Sequence, residues 1–206
     1  MAKIKLPSYI KEGNGRMEDA VLVTRGGESY MMIYRKYNRG QTPEQEEIRN
    51  AFKTVVYDWK YLEGIIHEAW AMPVKDTNVS GYNNFMGTNV QKRRDGLPIM
   101  LCTGMGEEIL MNFTAETGSA PGEIGCSFLP PESGCHVTIF TRPVTASGVK
   151  APIARHDAGA DPASPFIITG LEPGTEYHVF AIVTDAAYDE ARTVSQSVAA
   201  GCISGS

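Results

Sequence analysis

Residues 168–185 have the sequence ITGLEPGTEYHVFAIVTD, and this stretch decides the fold of the C-terminal half. Pro173 and Gly174 predict a tight turn, because proline presets the backbone angle that a turn needs and glycine tolerates a positive φ. The residues that follow are β-prone, and side chains on a strand point alternately to two faces. If Tyr177 points inward, we expect its hydroxyl to be able to bond the backbone upstream, and the inward set continues with Val179, Ala181 and Val183.

The opposite face of the same strand carries Phe180 and Ile182. A strand that is apolar on both faces is unusual in a β-sandwich, where one face of each sheet normally meets water. We therefore expect this outer face to be covered, either by another subunit or by the N-terminal part of the chain. Our hypothesis at this point is that Phe180 and Ile182 form part of a contact between subunits.

The rest of the C-terminal half has the composition of an all-β domain. Seven β-prone segments, separated by turn signals, predict a sandwich. They lie near residues 108–116, 123–128, 135–142, 150–156, 164–169, 175–184 and 192–199. The L-x-P-G-T-x-Y corner at residues 171–177 resembles that of fibronectin type III domains, which implies an Ig-like or fibronectin type III-like β-sandwich over residues 99–206. The chain departs from that family in having no tryptophan after residue 98.

The N-terminal half predicts an α+β module made of a β-hairpin and two helices. Two β-prone runs flank Gly26-Gly27, and glycines at that place favour a hairpin turn. Thr42, Pro43 and Gln45 have the pattern of a capped helix start. Apolar residues then recur every three or four positions, which predicts one amphipathic helix ending near Gly64. The apolar stripe consists of Ile48, Phe52, Val55, Trp59, Leu62 and Ile66.

A second, shorter helix is predicted from the cap at Ser80 to the glycine at Gly96. Leu97-Pro98 then marks a domain boundary. The predicted organisation is an N-terminal arm over residues 1–19, the hairpin-plus-helices module over residues 20–97 and the sandwich over residues 99–206. The polar, glycine-containing arm is expected to become ordered on assembly and to exchange between subunits.

Several N-terminal motifs occur in a recognisable order. They are the Gly-Gly hairpin, T-P-x-Q at residues 42–45, spaced aromatic residues that include Trp59 and Trp70, and G-Y-N-x-F at residues 81–85. This order resembles small uncharacterised proteins encoded by bacterial phages and prophages. The resemblance implies a phage-associated structural role. Glu46 and Glu47 make the segment after T-P-x-Q more acidic than in those proteins.

Charge is unevenly distributed along the 206-residue chain. The formal net charge is −5, but residues 1–98 hold 15 Lys and Arg against 12 Asp and Glu, whereas residues 99–206 hold 4 against 12. Such a split is what head-to-tail self-association by charge complementarity would use. The basic clusters are also candidates for contact with nucleic-acid phosphates. They comprise Arg35, Lys36, Arg39, Lys92, Arg93 and Arg94.

Catalytic, metal and cofactor motifs are missing from the sequence. The H-E-x-x-H pattern that starts at His67 has alanine at residue 71, and neither a P-loop nor a G-x-S-x-G element occurs. The four cysteines form no C-x-x-C pair. Cys126 and Cys135 flank a turn and would be near enough to bridge if oxidised, although two reduced thiols are the simpler interpretation. We predict no cofactor, no metal and no enzymatic activity.

These features together predict a non-catalytic structural or assembly protein, a phage-type virion or filament subunit that forms homo-oligomers or joins other virion proteins. Two alternatives stay open: a nucleic-acid-associated protein that uses the N-terminal half, and a module that binds cell-surface glycans or proteins. No signal peptide or membrane span is evident. The protein is therefore expected to be made in the cytoplasm and to act in a virion or in an extracellular assembly after release.

Overall fold

The computed structural model describes residues 2–4, 15–17, 20–25, 28–33, 42–146 and 149–206. Two compact units are present, residues 1–41 and residues 42–206. The predicted boundary at Leu97-Pro98 does not separate compact units. The predicted hairpin belongs to the first unit, whereas the predicted helices share a unit with the sandwich.

The N-terminal unit is a four-stranded antiparallel sheet. Its strands are β1 (Ala2–Ile4), β2 (Gly15–Met17), β3 (Ala20–Arg25) and β4 (Glu28–Ile33), in the order β1-β4-β3-β2. Strands β3 and β4 pair from Ala20↔Ile33 to Arg25↔Glu28, as the two predicted β-prone runs require, while the predicted turn at Gly26-Gly27 lies outside the described residues. Strands β1 and β2 fall within the predicted arm, so part of that arm is paired within the sheet.

The first helix, α1 (Pro43–Tyr61), begins where the sequence predicts. Thr42 is its N-cap, and the backbone N–H of Gln45 donates to Thr42 Oγ1 at 3.3 Å. The helix stops three residues before Gly64, which has a φ of 57° and lets the chain turn into α2 (Ile65–Ala71). A positive φ is accessible to glycine at little steric cost. The predicted single stripe through Ile66 is therefore divided between two helices.

A 3-10 helix, Met72–Val74, and a third α-helix, α3 (Gly81–Arg94), follow. Ser80 caps α3 by accepting a hydrogen bond from the backbone N–H of Asn83 at 3.2 Å. Gly96, just beyond the helix, has a φ of 70°. Both predicted ends of this helix are confirmed.

The seven other strands of the described part of the chain form a β-sandwich. They are β5 (Thr114–Thr117), β6 (Ile124–Ser127), β7 (His136–Pro143), β8 (Ala154–Ala160), β9 (Phe166–Ile168), β10 (Glu176–Thr184) and β11 (Val198–Ile203). One sheet has the order β5-β6-β9 and the other β11-β10-β7-β8. The predicted strand count is confirmed, but the first, fourth and last strands begin four to six residues later than predicted.

The tyrosine corner has the predicted geometry. The backbone N–H of Glu172 donates to the hydroxyl oxygen of Tyr177 at 3.1 Å, and Tyr177 is buried. The core between the two sheets contains the inward residues of β10. Its buried residues include Ile124, Val137, Ile139, Ile168, Tyr177, Val179, Ala181 and Val183, and partly buried apolar side chains pack against them.

A second core lies on the outer face of the larger sheet, where the three α-helices cover it. Helical residues such as Val55, Trp70 and Phe85 pack in one cluster with Phe140 and Phe180 of the sheet. The Trp70 indole N–H also donates to the backbone oxygen of Leu101 at 2.9 Å. The helices are therefore a third layer of the sandwich and not a module of their own.

Candidate functional site

Phe180 and Ile182 do not form an exposed assembly surface. Both side chains are fully buried, in the cluster that joins the sheet to the helices. The sequence left open whether another subunit or the N-terminal half of the same chain covers this face. In the structure, helices of the same chain cover it. The assignment of these residues to a subunit contact is therefore wrong, because α1, α2 and α3 already occupy the face.

The basic cluster at the end of α3 is largely engaged within the chain. Arg93 is 8% exposed, and its Nη2 donates to the backbone oxygen of Thr145 at 3.0 Å. Arg94 donates to Gln91 Oε1 at 3.2 Å and lies 3.7 Å from Glu47 Oε1. Lys92 is half-buried. Arg93 cannot reach a phosphate, and Arg35, Lys36 and Arg39 lie outside the described residues.

Arg93 belongs instead to a buried charge cluster that joins the helices to the larger sheet. Asp58 on α1 accepts a hydrogen bond from Nε of Arg142 on β7 at 2.8 Å, and the two side chains are 0% and 1% exposed. Among the described residues, Asp58 Oδ2, Arg142 Nη2 and Arg93 Nε are buried and find no hydrogen-bond partner. Burial raises the pKa of Asp58, while Arg142 opposes that shift.

This cluster explains a difference from the predicted face of α1. Ile48 and Phe52 are 43% and 45% exposed, although the apolar stripe placed them inside. Thr54 and Asp58 are buried in their place. The buried side of α1 places Asp58 against Arg142, and a buried arginine without a carboxylate partner would be strongly destabilising.

Two half-buried histidines of the larger sheet, His178 and His156, are expected to make stability dependent on pH. Burial lowers the pKa of His178, and the nearby Arg142 and Arg93 lower it further; burial also lowers the pKa of His156. Because these pKa values are lower in the folded chain, the unfolded chain binds more protons once the pH falls below the ordinary histidine value of about 6.5. We expect the free energy of unfolding to decrease on acidification through that range.

Urea unfolding at neutral and mildly acidic pH tests this expectation. His178→Gln combined with His156→Gln removes both protonation sites, so the double variant should lose less stability on acidification than the unsubstituted chain. An equal loss in the two proteins would show that these histidines do not control the acid response.

The four cysteines are free. Burial raises the pKa of Cys126 to about 12 and that of Cys102 to about 11. Cys135 is half-buried, and burial together with the charge of Glu107 raises the pKa of its thiol. Cys126 and Cys135 are therefore separate thiols in this structure, and a raised pKa keeps both protonated and poorly nucleophilic at neutral pH.

The N-terminal sheet carries a surface that the sequence did not single out. Residues paired across two antiparallel strands share a face, so Ala20 and Leu22 lie on the same face as Ile33 and Met31. Ile33 is 80% exposed and Met31 is 42% exposed. Among the described residues of this unit there is no helix. The opposite face carries Val21, Val23, Tyr30 and Met32, so the two faces differ chiefly in the highly exposed Ile33. We call the face that carries Ala20, Leu22, Met31 and Ile33 the apolar face of the N-terminal sheet.

A cleft of about 690 Å³ lies within residues 42–206, where the corner between α1 and α2 meets the larger sheet. Its floor is apolar, and its walls carry charged side chains from both layers. Arg155 and Asp189 form a bidentate ion pair, in which Nη1 and Nη2 of Arg155 donate to Oδ1 and Oδ2 of Asp189 at 2.8 and 3.2 Å. Among the described residues no cluster of His, Cys, Asp and Glu has the arrangement of a metal site.

No described helix is both long enough and apolar enough to cross a membrane.

No protein-family model matches the chain, and no curated protein matches it in sequence. Solved structures of fibronectin type III domains match part of it. The domain of human collagen α-1(XX) has 22% sequence identity and a TM-score of 0.38, over 48% of this chain and 87% of that one. The FN5 domain of Drosophila Lar has 19% identity and a TM-score of 0.35, over 47% of this chain and 96% of that one.

The C-terminal part of the chain is a fibronectin type III-like β-sandwich. Its two sheets, its strand order and the hydrogen bond at Tyr177 carry this assignment. It confirms the predicted resemblance of residues 99–206. The resemblance of the N-terminal half to phage-encoded proteins stays a prediction.

Proposed function

We propose that this protein is a non-catalytic structural subunit that self-associates, as a building block of a phage-type virion or filament. The apolar face of the N-terminal sheet is the observation that carries the proposal. A sheet needs a second layer over its apolar face, and a unit of about 40 residues rarely folds stably without disulfides, metals or association. Residues 1–41 contain no cysteine.

Charge supports the same proposal. Residues 1–41 hold 8 Lys and Arg against 4 Asp and Glu, whereas residues 42–206 hold 11 against 20. A basic unit and an acidic unit in one chain attract each other between copies, which speeds encounter and selects a head-to-tail arrangement. A second copy of this chain is therefore the partner that best covers the apolar face.

Adjacent residues on β4 provide a matched test. Met31 and Met32 are exposed to a similar extent, 42% and 39%, but they lie on opposite faces of the sheet. Met31→Glu and Ile33→Glu should weaken self-association at least about tenfold, because each would bury an unpaired carboxylate in the contact. Met32→Glu should leave it unchanged.

Size-exclusion chromatography with light scattering, and electron microscopy of the same fractions, measures the outcome. Loss of large particles in the Met31 and Ile33 variants alone would support the proposal. An unsubstituted protein that elutes at the 22.4 kDa of one chain, or equal behaviour of all three variants, would contradict it.

The excess of Lys and Arg in residues 1–41 also favours a second candidate, contact with nucleic acid through the N-terminal unit. Binding to a DNA duplex that weakens steeply with added salt would support it. Arg35→Ala with Arg39→Ala should reduce both affinity and salt dependence. Arg93→Ala is not informative here, because Arg93 is buried against Thr145.

A further inference from the structure

The cleft between the α1–α2 corner and the larger sheet has the composition of a binding site. Its volume of about 690 Å³ lies within the range of roughly 300–1,000 Å³ that is typical of small-molecule sites. It is lined by residues from α1, α2, β7 and β8 and from the segment after β10.

The floor of the cleft is apolar and closely packed. Ile65, Phe140, Ile153 and Tyr188 line it, and each is at most 8% exposed. The rings of Phe140 and Tyr188 pack edge to face, with centroids 5.8 Å apart. This floor suits a ligand that presents a compact apolar face.

The walls are polar and nearly balanced in charge. Lys60 and Arg155 face the cleft together with Glu63, Glu68 and Asp189, so the lining has two cations and three anions. The charges of Arg155 and Asp189 neutralise each other in their bidentate ion pair. A phosphate or another strong anion would find no excess of positive charge here. A ligand with many hydroxyl groups would find both donors and acceptors.

The polar wall is held in place before any ligand arrives. The Arg155 guanidinium lies 4.8 Å above the ring of Tyr188, and the Tyr188 hydroxyl donates to the backbone oxygen of Glu63 at 2.7 Å. Burial raises the pKa of Tyr188 to about 12, so this hydroxyl remains a donor at neutral pH. These contacts tie the sandwich side of the cleft to the helical side, which lowers the entropic cost of binding.

We propose that the cleft binds a neutral saccharide, with one pyranose ring on the apolar floor and its hydroxyl groups on the charged walls. A pyranose has an apolar face of C–H groups and an edge of hydroxyls, which matches a floor of Phe140, Ile153 and Ile65 under walls of carboxylates and a guanidinium. Planar carboxylate and guanidinium groups can each engage two neighbouring hydroxyls. This inference does not depend on self-association.

Titration of the ¹⁵N-labelled full chain with maltotriose, cellotriose and N,N′,N″-triacetylchitotriose tests the proposal. We expect at least one of them to cause saturable amide shifts that cluster at Gly64, Tyr188 and Asp189. Glu68→Gln and Asp189→Asn should weaken that binding at least tenfold. Glu116→Gln is the matched control, because Glu116 is an exposed carboxylate on β5 outside this cleft.

The same titration with inorganic phosphate and with trilysine separates the alternatives. Failure of all three saccharides to shift these amides would overturn the proposal. Tighter binding of phosphate or trilysine than of any saccharide at the same residues would overturn it as well. Shifts that are identical in Glu68→Gln, Asp189→Asn and Glu116→Gln would place the saccharide elsewhere and would also reject it.

Discussion

We expect Asp58→Ala to lower the free energy of unfolding by about 3–5 kcal/mol, because it leaves a charged arginine buried without its partner. Asp58 and Arg142 are joined at 2.8 Å in a place where neither side chain reaches water. Arg93 is buried nearby, so removal of the single carboxylate would leave two guanidinium groups in the interior. Equilibrium unfolding in urea, followed by circular dichroism, measures this loss.

The chain contains its own control for this experiment. Arg155 and Asp189 form an Arg–Asp pair with the same shortest distance, 2.8 Å, but their side chains are 44% and 75% exposed. Asp189→Ala should change stability far less, because water and salt screen an exposed pair. Equal losses in the two variants would show that burial is not what makes the Asp58–Arg142 pair important.

A double substitution distinguishes the loss of the ion pair from the loss of the volume that its side chains fill. Asp58→Leu with Arg142→Met replaces both charges by apolar groups, and such replacements are often neutral or stabilising. We expect the double variant to be more stable than Asp58→Ala. A double variant as unstable as the single one would indicate that packing, or the charge of Arg93 that remains buried, determines the loss.

Phe180→Ala is the second substitution with a large expected effect, a loss of about 3–5 kcal/mol in the free energy of unfolding. The ring is fully buried between the larger sheet and the helices, so its removal leaves a cavity at the joint between the two layers. Ile167→Ala on β9 is the control: Ile167 is 47% exposed, and we expect a change within about 0.5 kcal/mol.

Fluorescence gives this experiment a second readout. The two tryptophans of the chain, Trp59 and Trp70, both lie in helices, whereas far-ultraviolet circular dichroism reports on all secondary structure. If helices and sandwich share one core, both signals should shift to the same lower urea concentration in Phe180→Ala. A shift in circular dichroism with unchanged tryptophan fluorescence would show that the helices fold independently of the sheet.

Phe180→Ala also addresses the earlier assignment of this residue to a subunit contact. Because Phe180 is covered within the chain, the variant should keep whatever assembled mass the unsubstituted protein has, at temperatures where it remains folded. Loss of assembly without loss of stability would restore Phe180 as a residue of the subunit contact.

Sequence alone determined the features that depend on short-range interactions. The caps at Thr42 and Ser80 and the corner at Tyr177 each rest on a hydrogen bond between residues three to five positions apart. The hairpin of β3 and β4 is likewise local. Such patterns can be read in a single stretch of chain, because the residues that interact are also close in the sequence.

Tertiary structure alone decided what covers the outer face of the larger sheet. Phe180 had to be buried, but its alternation pattern is the same whether a subunit or a helix lies above it. The Asp58–Arg142 pair joins residues 84 positions apart, and the cleft combines four separate segments of the chain. No local pattern specifies such partners, because a buried charge or an apolar face requires a complement without indicating where along the chain that complement lies.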